Sequence, residues 1–327
     1  MTTASTPTST ATTSERIEGV ATLLSSLSHG GEHAGTIGFL RREKIVGPHG
    51  NVVEIPVVSG NALRGLLRRH AADAFWDALG RPALPVQVFH LLRSGGALAK
   101  AGSSHVLGAR QLQQVRAMVP VVSLFGGSGA GKIIEGKLSV GKLTPICAET
   151  VHLLPSSLGE VSTSIWQLLQ IEEFTRTDDS KKDQLHELIA GAVPAAIEAA
   201  SDRLLDVARH EPALESSLDD GPAQQMRYGV ETIAAGTRLH WWMQLRHVTD
   251  VERALMAEAV QRWVASGAHI GGRSATGHGR LRLDVHQWTH DTPTVTVGQA
   301  LAAPTNALED HVAAYRPAID EALSWFA

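Results

Sequence analysis

Four glycines and three arginines fall within fourteen residues near the end of the chain, Ile270-Gly271-Gly272-Arg273-Ser274-Ala275-Thr276-Gly277-His278-Gly279-Arg280-Leu281-Arg282-Leu283. That mixture suits an anion. Glycine takes φ > 0 without steric cost and lets a backbone come close to another surface. Consecutive N–H groups of such a loop can form an anion-binding nest, and arginines beside it add fork-shaped donors matched to phosphate. A second stretch offers the same chemistry. Ser59-Gly60-Asn61 runs into a segment to Trp76 whose apolar residues at 63, 66, 67, 71, 74 and 75 keep one helical face. Asn61 or Ser59 can cap this helix. Its N-terminus then aims N–H groups and a partial positive charge beside Gly60, with Arg64 about one turn in. The plain alternative is an amphipathic helix whose arginines are merely solvated.

Other chemistry-bearing patterns weigh less. Gly126-x-x-x-x-Gly131-Lys132 matches the front of a phosphate-binding P-loop. Ile133 stands where Ser or Thr should reach magnesium, however, and the residues that follow alternate like a strand instead of opening a helix. A flexible loop whose Lys132 can still meet an anion is the better reading. His29 and His33 have i, i+4 spacing, but Gly30 and Gly31 between them argue for a loop, and no third ligand is evident. No metal or cofactor is expected. His33 in that loop could act as a general base in RNA cleavage, since imidazole titrates near neutrality. Glu172-Glu173 and Asp178-Asp179 read as a solvated charged segment. Strand alternation should bury one of Trp241 and Trp242 and leave the other at an interface.

The elements that must position these residues read as follows. Glu15–Leu27 has apolar spacing that is either helical or strand-like, after a Thr/Ser/Ala-rich tail over residues 1–14. Ser28–Gly35 reads as a glycine loop and Gly47–Asn51 as a turn before the strand Val52–Val58. Residues 87–119 are helical with glycine interruptions, 137–143 a strand, and 181–211 an acidic helical insertion. Arg227–Ile233 and Thr237–Leu245 are strands, followed by a helix over Val251–Ser266, the glycine loop and a last strand. Strands and helices in this succession predict an α+β fold with a ferredoxin-like antiparallel sheet. Domain boundaries follow: a core over 15–170 and 223–290 with insertions, an inserted region over 171–222, and a helical extension over 291–327.

The composition, with 43% hydrophobic and 19% charged residues, is that of a globular protein with a sizeable core. No apolar run reaches eighteen residues, so no membrane association is expected, and the single cysteine, Cys147, fits a reducing cytoplasm. The net charge of −4 conceals an asymmetry: residues 171–222 hold thirteen acids and five bases, leaving 24 bases and 20 acids elsewhere. Between Gly35 and His70, Arg41, Arg42, Lys44, Arg64, Arg68 and Arg69 face only Glu43 and Glu54, which predicts a local basic face.

Four landmarks in order carry a resemblance. Val58-Ser59-Gly60-Asn61-Ala62-Leu63-Arg64-Gly65-Leu66-Leu67-Arg68 is followed by Leu124-Phe125-Gly126, by Tyr228-x-Val230-Glu231-x-Ile233-x-x-Gly236-Thr237, and by Ile270-Gly271-Gly272-Arg273-x-x-x-Gly277-x-Gly279-Arg280. Over residues 28–70 and 121–285 the chain resembles the repeat-associated RNA-binding (RAMP) superfamily of CRISPR systems, and within it the Cas-seven-type backbone subunit, best in a type IV version. The resemblance implies an RNA-recognition-like palm and a thumb hairpin near Ile171–Asp183, with Arg176 and Thr177 near RNA. Ser59–Arg64 and Gly271–Arg273 would hold the guide backbone, with Arg41, Arg42 and Lys132 adding charge. It also implies as partners CRISPR RNA, a complementary target nucleic acid, further copies of the chain head-to-tail and other effector subunits. Target-cleaving relatives carry an aspartate in the loop that here reads Thr36-Ile37-Gly38-Phe39-Leu40, so a non-catalytic role is expected. The alternative within the superfamily is a CRISPR-RNA-processing endoribonuclease with His33 as base.

Overall fold

The stretch that the sequence left ambiguous folds as a strand, β1 (Thr13–Leu23), which starts inside the segment read as a tail. The structure is a computed structural model and describes residues 12–96, 106–129, 131–176, 226–285, 295–296, 301, 304 and 306–326. After β1 come β2 (Gly30–Ala34), β3 (Ile37–Leu40), β4 (Arg42–Val46) and β5 (Val52–Pro56). β2 occupies most of the expected glycine loop. It is an edge strand, exposed along its length, so backbone pairing alone makes it a strand and no side-chain alternation announces it. β4 and β5 form a hairpin closed at the expected turn, where Gly47 N–H donates to the Asn51 carbonyl at 2.8 Å.

Helices α1 (Gly60–Ala78), α2 (Val86–Ser94), α3 (Ala109–Met118) and α4 (Pro120–Phe125) follow. The P-loop look-alike becomes a small hairpin of β6 (Gly127–Gly129) and β7 (Lys132–Ile134), with no helix behind its lysine. The chain continues through β8 (Leu138–Val140), β9 (Thr144–Pro145), β10 (Leu169–Arg176), β11 (Met226–Ile233) and β12 (Arg238–Val248). It then runs through α5 (Asp250–Ala265), β13 (Leu281–Val285), β14 (Val295–Thr296) and α6 (Ala307–Ser324).

The main sheet has the order β14-β13-β1-β12-β8, antiparallel throughout, with β9 also on β12. Numbered along the chain, β1, β8, β12 and β13 lie in the order 4-1-3-2. Two interleaved units, β1–α1–β8 and β12–α5–β13, thus build a ferredoxin-like α+β core. Along β12, Leu239, Trp241, Met243 and Leu245 are all at most 1% exposed. They pack with Ile17 and Ala21 of β1 beneath Leu63, Leu67 and Phe75 of α1 and Leu255, Ala259 and Trp263 of α5. Trp242, one residue out of phase, points to the other side of the sheet and stays half-buried. A reciprocal cap fixes the start of α5: Thr249 Oγ1 accepts from Glu252 N–H at 3.4 Å, and the Glu252 carboxylate accepts from Thr249 N–H at 2.7 Å.

The chain divides into two compact units, Met1–Ala34, Gly38–Gln170 and Glu231–Ala327 in one, Gly35–Ile37 and Ile171–Val230 in the other. The first holds the ferredoxin-like sheet and, with it, the C-terminal helix α6, which packs on α3 and α5. In the second, Phe174 stacks on Tyr228 with ring centroids 5.4 Å apart, and Gly229 N–H donates to the Thr36 carbonyl at 3.0 Å. The inserted region is expected over 171–222; the longer segment of this unit is Ile171–Val230. The acidic helical stretch 181–211, Thr177 and the Arg176 side chain lie outside the described residues.

Candidate nucleic-acid interface

The two glycine turns meet on one dipeptide. Ser59, not Asn61, caps α1; its Oγ accepts from Ala62 N–H at 3.3 Å, and no acidic side chain stands in the first turn. Gly60 lets this helix start seat itself against β8, since a Cβ there would lie 2.4 Å from the Val140 carbonyl oxygen. At the other turn Gly271 has φ +84°, and a Cβ would lie 2.3 Å from the Ser28 carbonyl oxygen. That same oxygen accepts from Gly272 N–H at 2.7 Å, while Nε2 of the next residue, His29, accepts a long bond from Ser59 N–H at 3.4 Å. The His29 carbonyl accepts from Arg41 N–H at 2.9 Å. Ser59–Asn61, Gly271–Arg273 and Arg41 are therefore brought together around Ser28-His29. Burial, and then the charge of Arg41, pushes the His29 pKa below its usual value, which keeps the imidazole neutral and able to accept.

The cations divide sharply. Arg41 is exposed, as expected of a phosphate ligand. Arg42 is not available in the same way. Its guanidinium pairs with Glu231, a buried carboxylate that also accepts from Leu40 N–H at 2.9 Å. Drawing Arg42 onto a phosphate would strand that carboxylate, so its expected role is corrected to holding the β3–β4 junction. Arg64 donates to the Phe125 carbonyl and is half-buried, and burial lowers its pKa. Its guanidinium is thus partly committed to the end of α4.

Arg68, counted in the basic face, lies instead in the core at 4% exposure. It donates to the carbonyls of Leu91, Leu92, Phe125 and Gly126 at 2.6–3.1 Å. Burial, with Arg64 second, lowers its pKa to about 10, which leaves it charged at neutral pH. These carbonyls end α2 and α4, and a cation there satisfies groups that the helices cannot.

Arg273 sits in the left-handed region at φ 61°, and the loop curls over its carbonyl, which accepts from Thr276 N–H at 3.0 Å and His278 N–H at 3.2 Å. Lys132 is exposed on β7 beside an exposed Ile133, and no described contact joins it to either turn. His33 is exposed on β2. Among the described residues no cluster of three or more His, Cys, Asp or Glu could hold a metal. Cys147 is buried and hydrogen-bonds Thr150, and burial raises its thiol pKa, in keeping with a small core residue. Ser28 and His29 are the residues that sequence reasoning missed. Their role depends on two turns far away in the chain, and nothing adjacent to them signals it.

No family model matches this chain, and no curated protein does either. Among solved structures it is similar to a chain described as "Type IV-B CRISPR Complex". The two are 26% identical, the aligned part covers 89% of this chain and all of the other, and the TM-score is 0.53. The chain is thus similar, over most of its length, to a component of a CRISPR complex. This agrees, at the level of a CRISPR complex component, with the resemblance carried by the four sequence landmarks. Among the described residues no helix is long and apolar enough to cross a membrane.

Proposed function

We propose that this protein is a non-catalytic RNA-binding subunit that polymerises along CRISPR RNA and forms the backbone of a CRISPR effector complex. The observation that carries the reading is the meeting of both glycine turns on Ser28-His29, which gathers the N-terminus of α1, the Gly271–Arg273 loop and Arg41 into one anion-receptive surface. The likeness to a Type IV-B complex chain supports it independently. Contacts of this kind grip phosphates without reading bases, so a guide of any sequence would be held. Successive copies would contact one another head-to-tail, building an open helix. The RNA would present its bases to a complementary target strand, and other effector subunits would close the ends.

The test is purification from cells that transcribe a CRISPR array. A long assembly containing small RNAs of uniform size is expected, with affinity for purified RNA falling steeply as salt rises. A monomer free of RNA, with no affinity for the repeat-containing transcript, would overturn the reading. Discrete metal-free cutting of repeat RNA, lost in His33→Ala, would replace it with the processing endoribonuclease.

A further inference from the structure

On the side of the main sheet opposite α1 and α5 lies a cavity of about 710 Å³ that the backbone-gripping surface does not use. Ile45 and Ile55 of the β4–β5 hairpin and Val57 just after it line one side, and the β1–β12 pair lines the other with Arg16, His240 and Trp242. Glu18 stands opposite Trp242 in the register. Its carboxylate takes two bonds from Arg16, from Nε at 3.0 Å and Nη2 at 2.9 Å. The Arg16 guanidinium thereby lies over the Trp242 ring, 4.4 Å from its centroid.

Deeper in the same cavity is His240, 6% exposed. Its Nε2 is buried without a hydrogen bond among the described residues, and the nearest carboxylate, Glu18, is 3.7 Å away. Lys142 on the rim is neutralised by Glu43 at 2.5 Å. Apolar walls, a pinned planar cation stacked on an indole, and a buried imidazole whose Nε2 has Glu18 near it but makes no hydrogen bond do not describe a phosphate site. They describe a slot for a flat, hydrogen-bonding ring.

The slot adjoins the helix start already described. Gly141 lines it, and a Cβ on Gly141 would lie 2.2 Å from Trp242 Nε1, while a Cβ on Gly60 would lie 2.9 Å from the Gly141 carbonyl oxygen. Ser59-Gly60, Gly141 and Trp242 thus form a row from one face of the sheet edge to the other. From this we infer that the cavity takes an unpaired nucleobase from the strand whose phosphates lie at the start of α1. The base stacks on the Arg16 guanidinium, with the His240 imidazole meeting its polar edge. The inference rests on the proposed function and adds a base-binding subsite to it.

The full-length protein is tested with two strands of equal length, oligoadenylate and the same ribose-phosphate chain without bases. Wild type is expected to prefer the base-bearing strand about tenfold, the size of one base–aromatic stack. Trp242→Leu and, separately, Arg16→Lys should abolish this preference while leaving affinity for the abasic strand unchanged. Arg16→Lys keeps the charge and removes the plane, so it separates stacking from electrostatics without disturbing the sheet. An unchanged preference in both variants assigns the slot to something other than a base, such as a protein segment, and overturns the proposal. An equal fall on both strands also overturns it. Failure of the wild type to bind either strand would instead sink the RNA-binding reading itself.

Discussion

Both turns of the candidate site carry a glycine, yet for different reasons. Gly60 has an ordinary backbone and is required only because α1 starts against the Val140 carbonyl. Gly271 is required twice, by its left-handed φ and by the Ser28 carbonyl in its path. The first turn is braced from behind by Arg64 and Arg68, whose guanidiniums tie α1 to the ends of α2 and α4. The second is held by its own curl and by Ser28. Packing thus explains both glycines before any ligand is invoked. Evidence for a ligand must come from the charges and N–H groups that packing leaves over.

The largest expected effect strikes the brace. Arg68→Met should lower stability by about 3–5 kcal/mol, because four carbonyls lose a buried charged donor; urea unfolding would show it, and a loss below about 1 kcal/mol would mean that the brace is not what supports the first turn. Next, Gly271→Ala should cost about 3 kcal/mol, from strain added to a backbone clash. Gly60→Ala should cost less, about 1–3 kcal/mol, from the clash alone. The reverse order in denaturation midpoints would break the comparison.

Smaller effects separate the cations around the two turns. Arg273→Ala and Arg41→Ala should each weaken binding of every RNA alike and reduce the slope of log affinity against log salt by about one. Arg64→Ala should change the slope less, because its guanidinium is shared with Phe125. Equal slopes for all three would make the shared arginine as important as the exposed one. Smallest is the effect of pH. His29, His70 and His240 all have pKa values lowered chiefly by burial. The unfolded chain therefore binds more protons below about 6.5, and stability is full above that pH and falls as pH drops through the lowered folded-state values. Thermal melts between about pH 8 and pH 5 should show that decline, and His29→Gln should make it shallower.

How much of this was legible in the sequence depends on range. The alternation of Leu239, Trp241, Met243 and Leu245 and the apolar face of α5 are local patterns; the first placed the start of β12 to within a residue but stopped three residues before its end at Val248, and the second placed both ends of α5 to within a residue. β2 was hidden because all five of its residues are exposed, leaving only backbone pairing to make it a strand. The fates of Arg42 and Arg68 were hidden for a different reason. Their partners lie at Glu231 and at Leu91, Leu92, Phe125 and Gly126, far along the chain, so composition counted both as surface charge. Ser59 and Gly271 could be picked out as chemistry, but that they share Ser28-His29 is a property of the fold alone.

In a minimal ferredoxin-like fold a tight turn would join the second and third core strands, whereas here residues 146–237 intervene. The excursion leaves and returns at one spot, since Pro145 is opposite Leu239 and Ile146 N–H bonds the Arg238 carbonyl at 2.9 Å. Because its ends are clasped, its length bears only weakly on the palm, as closure entropy grows with the logarithm of loop size. The core's own contacts with the excursion, Glu231 on Arg42 and Ile233 on Leu27, lie in its returning strand, which makes the stretch between β10 and β11, and not that strand, the natural place to graft a new module.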